Sequence, residues 1–275
     1  MPPEIWIAPP FRRSLQSAGL ETFDDVMNAT SGTKLRAVAT RENWRFDLPA
    51  VEDRPRGAYL KKHRVPKWSL RLRSWLRLAP RISDGRQEAE NIAALERDGI
   101  PAMRLIAFGE RLTAAGRLDS FVLTEALEGF TQLDHYLRRR FAPRSASPGP
   151  RDRSLSQLID RVADVARRFH ACGYNHRDLY CCHFFIREAE PDEFCVRLID
   201  LQRVQQRRWF RRRWIVKDLA QLSYSAPIER LGPTQRMAFI KRYLGVRKLG
   251  PADKRLIRSV LAKHDRMQRR LGPHP

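Results

Sequence analysis

Residues 174–201 read YNHRDLYCCHFFIREAEPDEFCVRLIDL, and this stretch decides the fold. The tetrapeptide HRDL precedes a short apolar run, which predicts a buried strand. Turn-forming residues at 190–193 end that strand, and a second apolar run directly after them predicts another. Asp178 precedes the first of these strands, and Asp200 lies at the end of the second. The sequence therefore predicts two carboxylates at the ends of neighbouring elements.

Two carboxylates in this arrangement suit the transfer of a phosphoryl group. A phosphoryl donor carries several negative charges, so one carboxylate has to hold the metal ion that neutralises them. The other has to orient the attacking hydroxyl and accept its proton. The spacing matches the kinase fold, in which Asp178 takes the place of the catalytic-loop aspartate and Asp200 that of the Mg²⁺-holding aspartate. We group Arg177 with Asp178 as a catalytic residue.

The lysine that would bind the phosphates of the donor is predicted on an earlier strand. Residues 57–63 form a short strand candidate, and Lys61 lies where a kinase lysine would reach the α- and β-phosphates. Glu88 lies near the start of the following helix, where it would pair with Lys61. Two alternatives stay open. Lys62 would replace Lys61 after a one-residue shift in strand register, and Glu90 would replace Glu88.

Before residue 128 the sequence is mostly strand-like. Short runs at 44–48 and 120–126 predict strands, and strong helix formers at 86–98 predict one helix. We therefore predict an N-lobe at 1–127 in which a sheet carries a helix. An Arg-, Pro- and Ser-rich stretch at 138–153 predicts an exposed loop soon after this lobe.

After that loop helical patterns dominate. Apolar residues at 155–169 follow the 3.6-residue period over about four turns. We expect Ser154 or Ser156 to cap this helix. Helical patterns continue to the segment 234–271. We predict a helical C-lobe at 128–275 and hence a two-lobed, protein-kinase-like α+β fold, with a ligand site favoured between the lobes.

The composition limits the compartment and the partners. The 275 residues include 53 Lys and Arg against 31 Asp and Glu, a formal net charge of +22, which predicts a polyanionic partner or substrate. Four cysteines are too sparse for a disulfide framework and indicate a reducing compartment. No run of residues approaches the ~20 apolar positions that span a bilayer. The first residues lack a secretory pattern, so we expect a cytoplasmic protein with peripheral membrane attachment.

Six blocks in a fixed order carry a family resemblance. They read FRRSLQSAGLETFDDVM, AYLKKHR, RQEAENIAALERDGIPA, HRDLYCCHFFI, LIDLQRVQ and RWIVKDLAQLSYS. The chain resembles the lipopolysaccharide kinase family (Kdo/WaaP type) over roughly Pro9 to Ala226, and it looks most like the heptose kinases of the lipopolysaccharide inner core. The resemblance implies a kinase-like fold and phosphorylation of an inner-core sugar hydroxyl, with ATP as donor and Mg²⁺ as cofactor.

The resemblance also implies roles for individual residues. It makes Asp178 the base and Asp200 the metal ligand, with Lys61 on the phosphates and Glu88 as its partner. Asp218, on a helix predicted at 217–226, would brace the catalytic loop.

The resemblance implies fewer of the residues that would bind the nucleotide. Backbone groups from Glu125 to Leu127 would meet the adenine. The chain has no G-x-G-x-x-G pattern, so Gly32, in the segment TSGT, is the candidate for a phosphate loop. His183 stands where protein kinases place an Asn metal ligand, although hard cations prefer oxygen. Either one metal ion suffices or His183 has another role, and we place it with the nucleotide-binding residues.

Two basic clusters predict anionic partners. The segment 203–217 carries seven Lys and Arg and no acid, and it follows Asp200, where kinases bind their substrate. Its acceptor-binding candidates are Arg203, Arg207, Arg208 and Arg211, because arginine binds phosphate and carboxylate with two parallel hydrogen bonds. The cluster at 67–81 interleaves cations with Trp and Leu, which suits an anionic membrane surface. The expected acceptor is the lipopolysaccharide core glycolipid.

Other functions remain as alternatives. A kinase for a Kdo sugar, a small molecule or a protein would use the same carboxylates. A pseudokinase would bind nucleotide weakly and transfer nothing, as His183 and the weak phosphate loop allow. We expect no nucleic-acid partner, because the chain lacks the aromatic and glycine motifs of the common RNA-binding modules. Zinc binding by the cysteines and histidines at 172–183 is disfavoured, because their spacing fits no usual finger.

Overall fold

The computed structural model describes residues 4–38, 40–51, 54–65, 82–114, 117–141, 153–227 and 229–272. The basic cluster at 67–81 and most of the loop predicted at 138–153 lie outside the described residues. The chain forms two compact units. Residues up to Arg97 together with Met103–Glu128 form the first, and Asp98–Ala102 together with residues from Gly129 onward form the second. Strands are concentrated in the first unit and helices in the second, which confirms the predicted α+β fold.

The described part of the first unit is a six-stranded antiparallel sheet with three helices. The sheet has the order β1-β5-β6-β4-β3-β2. Its strands are β1 (Ile5–Ile7), β2 (Thr33–Val38), β3 (Arg41–Val51), β4 (Arg54–Val65), β5 (Leu105–Leu112) and β6 (Leu118–Glu125). The helices are α1 (Arg12–Ser17), α2 (Phe23–Asn28) and α3 (Asp84–Arg97).

The helices cover opposite faces of this sheet. On one face, side chains of α1 and α2 such as Leu15 and Phe23 pack with Leu60 of β4 and Phe121 of β6 in one apolar core. Helix α3 lies on the other face, where Gly85 approaches Ser120, the neighbour of Phe121 in β6. Successive residues of a strand point to opposite faces, so adjacent residues of β4 enter different environments.

The second unit is mostly helical. Its helices are α4 (Leu133–Arg140), α5 (Arg153–Ala171), α6 (Arg211–Ser225), α7 (Pro233–Leu244) and α8 (Pro251–Leu271). Short strands form two small antiparallel sheets, β10-β9-β7 and β11-β8. These strands are β7 (Thr131–Gln132), β8 (Tyr174–Asn175), β9 (Phe184–Glu190), β10 (Glu193–Leu198) and β11 (Gln205–Gln206).

Helix α5 confirms the predicted periodicity, because its apolar positions from Leu155 to Phe169 are buried. The predicted cap is wrong. The helix already begins at Arg153, so Ser154 and Ser156 lie inside it. Gly173 follows the helix with a φ of +89°, a conformation that glycine adopts without strain.

Two further boundaries differ from the prediction. Residues 138–140, expected in a loop, continue helix α4. Helix α6, predicted from 217, begins at Arg211, directly after Phe210 in a left-handed conformation. Among the described residues, we find no helix that combines the length and apolar character needed to span a bilayer.

Candidate active site

An ion pair in the first unit joins strand β4 to helix α3. Lys61 Nζ lies 2.6 Å from Glu88 Oε1, with Lys61 15% exposed and Glu88 fully buried. The buried carboxylate of Glu88 fixes Lys61 in place, because moving the lysine away would leave a buried charge without a partner. The structure thus brings together the two residues that the sequence paired.

The two alternatives, Lys62 and Glu90, make other contacts within the first unit. Lys62 points to the opposite face of the sheet, where Nζ donates 2.6 Å to the Ala29 carbonyl and lies over the Trp44 ring. Burial lowers the pKa of Lys62 to about 8. Glu90 is 56% exposed and lies 3.9 Å from Arg86, one helical turn earlier. Strand alternation therefore separates the two lysines, and Lys61 is the one that meets α3.

In the second unit, the catalytic-loop candidate is shaped around one buried carboxylate. Asp218 of α6 accepts from the backbone N–H of His176 at 2.7 Å and of Arg177 at 2.9 Å. Arg177 takes a φ of +71°, a costly conformation for a residue with a side chain. The two hydrogen bonds to a charged acceptor, each stronger than a neutral one, offset that strain. Asp218 also accepts 3.3 Å from His170 Nε2.

The same face of α6 binds the rest of this loop. Gln221 Oε1 accepts from the Leu179 N–H at 3.3 Å, and Ser225 Oγ accepts from the Cys181 N–H at 2.8 Å. With Asp218, these residues are spaced three and then four apart, so they lie on one helical face. Asp218 was expected from the sequence, whereas Gln221 and Ser225 were not. Their helical spacing is the signal that could have identified them.

Two cations face the carboxylate of Asp178. Arg203 Nη1 lies 2.6 Å from Oδ2, and Lys217 Nζ lies 3.9 Å from Oδ1. Lys217 also donates to the Arg177 carbonyl. Burial lowers the pKa of Lys217, against the opposing effect of Asp178. Asp178 is 22% exposed, so its carboxylate is held between cations and still reaches solvent.

Asp200 lies beside His183 in the second unit. Asp200 has a φ of +55° and follows β10, and its Oδ2 lies 3.9 Å from His183 Nε2. His183 Nδ1 donates 2.6 Å to the Asp178 carbonyl, which turns Nε2 toward Asp200. The Nε2 atom and the Asp200 carboxylate therefore lie side by side.

His176 ties the loop to the segment before Asp200. His176 Nε2 donates 3.0 Å to the Ile199 carbonyl, and the Ile199 N–H donates 3.1 Å to the His183 carbonyl. The rings of His176 and His183 stack with centroids 5.4 Å apart. Burial, aided by His183, lowers the pKa of His176 to about 4. His176 is thus neutral near pH 7 and positions its neighbours without adding charge.

The predicted adenine-binding segment, 125–127, begins at the last residue of strand β6 and continues beyond it. The Glu125 N–H donates 3.0 Å to the Arg104 carbonyl, and the Ala126 N–H donates 2.8 Å to the Gly57 carbonyl. Leu127, half-buried, follows them.

Gly32 directly precedes β2, and a Cβ there would lie 2.4 Å from the Arg45 carbonyl of β3. This close backbone approach alone requires a glycine at that position.

The acceptor-binding candidates separate into different environments. Arg203 is bound to Asp178. Arg207 lies over the Trp214 ring, 5.1 Å from its centroid, and Arg208 is exposed. Arg211 donates to the His170 carbonyl. The segment therefore presents Arg207 and Arg208 to solvent, whereas Arg211 makes an internal contact.

The described residues contain no group of three or more His, Cys, Asp or Glu side chains placed to hold a metal ion. Burial raises the pKa of Cys181 to about 12 and that of Cys182 to about 11, so both thiols are neutral near pH 7. These cysteines behave as small apolar side chains.

Comparisons with known proteins identify the family of the chain. Residues 28–243 match the model of the lipopolysaccharide kinase (Kdo/WaaP) family. The chain is 31% identical over 237 residues to the lipopolysaccharide core heptose(I) kinase WaaP of Pseudomonas aeruginosa, covering 85% of this chain and 84% of that protein. It is 31% identical over 259 residues to the protein of the same description from Escherichia coli K12, covering 92% and 93%.

A solved structure of WaaP in complex with acyl carrier protein is also similar. It aligns with a TM-score of 0.69 and 28% identity over 97% of this chain and 98% of the WaaP chain. Together with the sequence relatives, it confirms the family resemblance and the protein-kinase-like fold.

Proposed function

Because the chain belongs to the lipopolysaccharide kinase (Kdo/WaaP) family, we propose that it transfers the γ-phosphoryl group of ATP to a heptose hydroxyl of the lipopolysaccharide inner core. The observation that carries the proposal is the geometry of Asp178. It stands on a loop whose backbone N–H groups are bound by Asp218, and it faces Arg203 and Lys217. A kinase needs such a fixed, solvent-accessible carboxylate where the acceptor binds.

Asp178 acts as the base in this proposal. Its carboxylate orients the heptose hydroxyl and accepts the proton as the oxygen attacks phosphorus. Lys217 balances the negative charge that collects around the reacting oxygens, and Arg203 would bind the anionic acceptor. Arg177 contributes through its backbone, because its left-handed conformation directs the chain into Asp178 and its carbonyl holds Lys217.

The residues beside Asp200 suit a divalent cation. When bound, Mg²⁺ neutralises the charge of the phosphates. Asp200 supplies the oxygen ligand that Mg²⁺ prefers, and His183 Nε2 lies 3.9 Å from that carboxylate. Both residues would lie against the metal–nucleotide.

The nucleotide contacts come from the first unit. Lys61, held by Glu88, would bind the α- and β-phosphates, because an ion-paired lysine keeps its position and charge. Backbone groups from Glu125 to Leu127 would meet the adenine. The proposal does not depend on Gly32, since its packing on Arg45 explains the glycine.

The acceptor is anionic in this proposal. Arg207 and Arg208 are exposed and follow Asp200 in sequence, so they would bind phosphates or carboxylates of the glycolipid core. Because the acceptor is a lipid, the protein would work at the cytoplasmic face of the inner membrane as a peripheral enzyme. Its charge of +22 favours an anionic surface.

We also propose acyl carrier protein as a partner, as in the similar WaaP structure. The supporting observation is an apolar cavity of about 620 Å³ in the second unit. Helices α4 to α8 line it with side chains that include Leu137, Leu158, Leu222, Ile240 and Leu261. An acyl chain carried as a thioester fits such a lining. Native mass spectrometry of the purified protein mixed with acyl carrier protein tests this partner, since a complex adds the mass of the acylated carrier protein.

Incubation with ATP, Mg²⁺ and dephosphorylated core lipopolysaccharide, followed by mass spectrometry, tests the main proposal. We expect one phosphate on a heptose. Cores that lack heptose but keep Kdo separate the sugar acceptors, and transfer to such a core would instead favour a Kdo kinase. Nucleotide binding without transfer to any core would identify a pseudokinase. Asp178→Asn is the matched inactive control.

A further inference from the structure

A tip between β11 and α6 carries the largest exposed aromatic surface among the described residues. Trp209 is 80% exposed and Phe210 is 87% exposed. Adjacent aromatic side chains in water are unfavourable by the hydrophobic effect, so such a pair marks a surface with a partner.

Both ends of this tip are fixed to the second unit. Before it, Gln205 and Gln206 pair with β8, and the Arg207 N–H donates 3.0 Å to the Gly173 carbonyl. After it, Arg211 donates to the His170 carbonyl and begins helix α6. The two aromatic residues therefore project from a short, anchored turn.

Backbone geometry keeps the aromatic rings in solvent. Phe210 has a φ of +53°, a conformation that costs free energy for a residue with a side chain. The next residue begins α6, and residues 208–210 form a bend before it. A tip held in this strained form, with its apolar side chains outward, is suited to present them to a partner.

The charges around the tip define the kind of partner. Five of the seven residues at 207–213 are arginine, and the stretch 203–217 contains no acid. Arg208 and Arg212 are exposed on either side of the aromatic pair. Tryptophan and phenylalanine favour the boundary between lipid headgroups and acyl chains, and nearby arginines are attracted to anionic lipid.

We propose that Trp209 and Phe210 insert into the headgroup boundary of an anionic membrane, with Arg212 on the lipid headgroups. The inference rests on the proposed function, because it names how the enzyme engages the membrane that holds its acceptor. It makes the turn after β11 an anchor that is separate from Asp178 and the cations facing it.

Sedimentation with vesicles tests the anchor. We expect the full chain to bind vesicles of phosphatidylcholine with phosphatidylglycerol and to bind phosphatidylcholine alone weakly. The double variant Trp209→Ser/Phe210→Ser should lose at least roughly tenfold in partitioning, because it removes the inserted apolar area. Leu112→Ser, which removes an exposed apolar side chain of the first unit (61% exposed), should change nothing. Equal binding by the double variant and the Leu112→Ser control would overturn the proposal.

Lipid quenching locates the contact. Vesicles with brominated acyl chains should quench part of the tryptophan fluorescence of the full chain. Trp209→Phe should still bind but lose that quenched component, because the phenylalanine inserts without reporting. Undiminished quenching in Trp209→Phe would mean that another tryptophan reaches the lipid, and the assignment would fail.

An activity assay separates this inference from the proposed function. On a deacylated, soluble core acceptor, the double variant should match the unmodified chain, and on acceptor embedded in vesicles its kcat/KM should fall about tenfold, in line with its partitioning. Loss of activity on the soluble acceptor would show that the aromatic pair contacts the sugar, which overturns the membrane assignment. If the unmodified chain phosphorylates no core, the proposed function fails, while the vesicle results still decide the anchor.

Discussion

Arg203 Nη1 lies 2.6 Å from Asp178 Oδ2, so the carboxylate proposed as the base is already paired with a cation in the protein alone. Arg203 is 54% exposed, and an ion pair open to solvent is weak, typically about 0–1 kcal/mol. The pair orients the carboxylate at little cost, and an arriving anionic acceptor can draw the guanidinium away. The proposed base, Asp178, is thus in direct contact with the acceptor-binding candidate Arg203.

Asp178→Asn should lower kcat by about 10²–10⁴, because the amide no longer accepts the proton of the hydroxyl. The Kd for ATP, measured by titration calorimetry, should stay within about twofold, since we assign Asp178 to the acceptor. Arg203→Ala is the matched comparison, and it should raise the acceptor KM more than it lowers kcat. A variant Asp178→Asn with full turnover would remove the base from the proposal.

Lys61→Met should raise the KM for ATP and destabilise the protein by about 3–5 kcal/mol, because Glu88 becomes a buried charge without its ammonium group. Adding Glu88→Gln should recover most of the stability and none of the activity. Denaturant unfolding and steady-state kinetics measure the two effects separately. If the double variant regains activity, Lys61 acts only in packing.

Asp218→Asn should distort the catalytic loop. An amide has one acceptor oxygen, so the N–H groups of His176 and Arg177 compete for it. The N–H group left without a partner costs about 1–3 kcal/mol of stability. We expect lower kcat with nearly unchanged KM for ATP. Gln221→Glu keeps an acceptor for Leu179 and serves as control. Equal loss of kcat in both variants would argue against a special role for Asp218.

Acid should destabilise the second unit through His176. The pKa of this group falls from 6.5 to about 4 on burial, so between these values the unfolded chain takes up a proton that the folded chain refuses. Stability from this group is complete above pH 6.5 and is lost by roughly 3 kcal/mol as the pH falls to 4. The free energy of unfolding, measured with denaturant at pH 7 and pH 4.5, should fall less between these pH values in His176→Gln than in the unmodified protein. An identical decline in both proteins would assign the acid sensitivity to other groups.

His183→Asn should shift the metal preference. Asparagine offers an oxygen where His183 offers a nitrogen, and Mg²⁺ favours oxygen more strongly than Mn²⁺ does. We expect the ratio of kcat with Mg²⁺ to kcat with Mn²⁺ to rise several-fold. Mn²⁺ binding followed by electron paramagnetic resonance supplies a readout that is independent of turnover. An unchanged ratio together with unchanged Mn²⁺ binding would place His183 away from the metal.

Short-range patterns predicted much of the fold. The strand around Lys61 was a short strand candidate, and the helix of Glu88 was predicted from strong helix formers. The long helix α5 was predicted from the 3.6-residue period. Lys61 and Lys62 stayed ambiguous because a one-residue shift exchanges the faces of a strand. Contacts with α3 on one side and Ala29 on the other resolve them, and these come from tertiary packing.

The sequence singled out the acidic residues of the candidate site and missed most of their contacts. Asp178, Asp200 and Asp218 carry recognisable patterns, whereas the pairing of Arg203 with Asp178 depends on how the turn after Asp200 folds. The start of α6 was also missed, because consecutive arginines read as a surface segment. The serine cap of α5 was predicted wrongly, since Ser154 and Ser156 lie within the helix.

Helix α6 starts at the aromatic tip and ends where Ser225 holds the Cys181 amide. Because every turn of a helix is hydrogen-bonded to the next, α6 is a rigid rod between these two points. Attachment at the tip would therefore hold the carboxylate of Asp178 at a defined distance from the lipid surface, where the substrate resides.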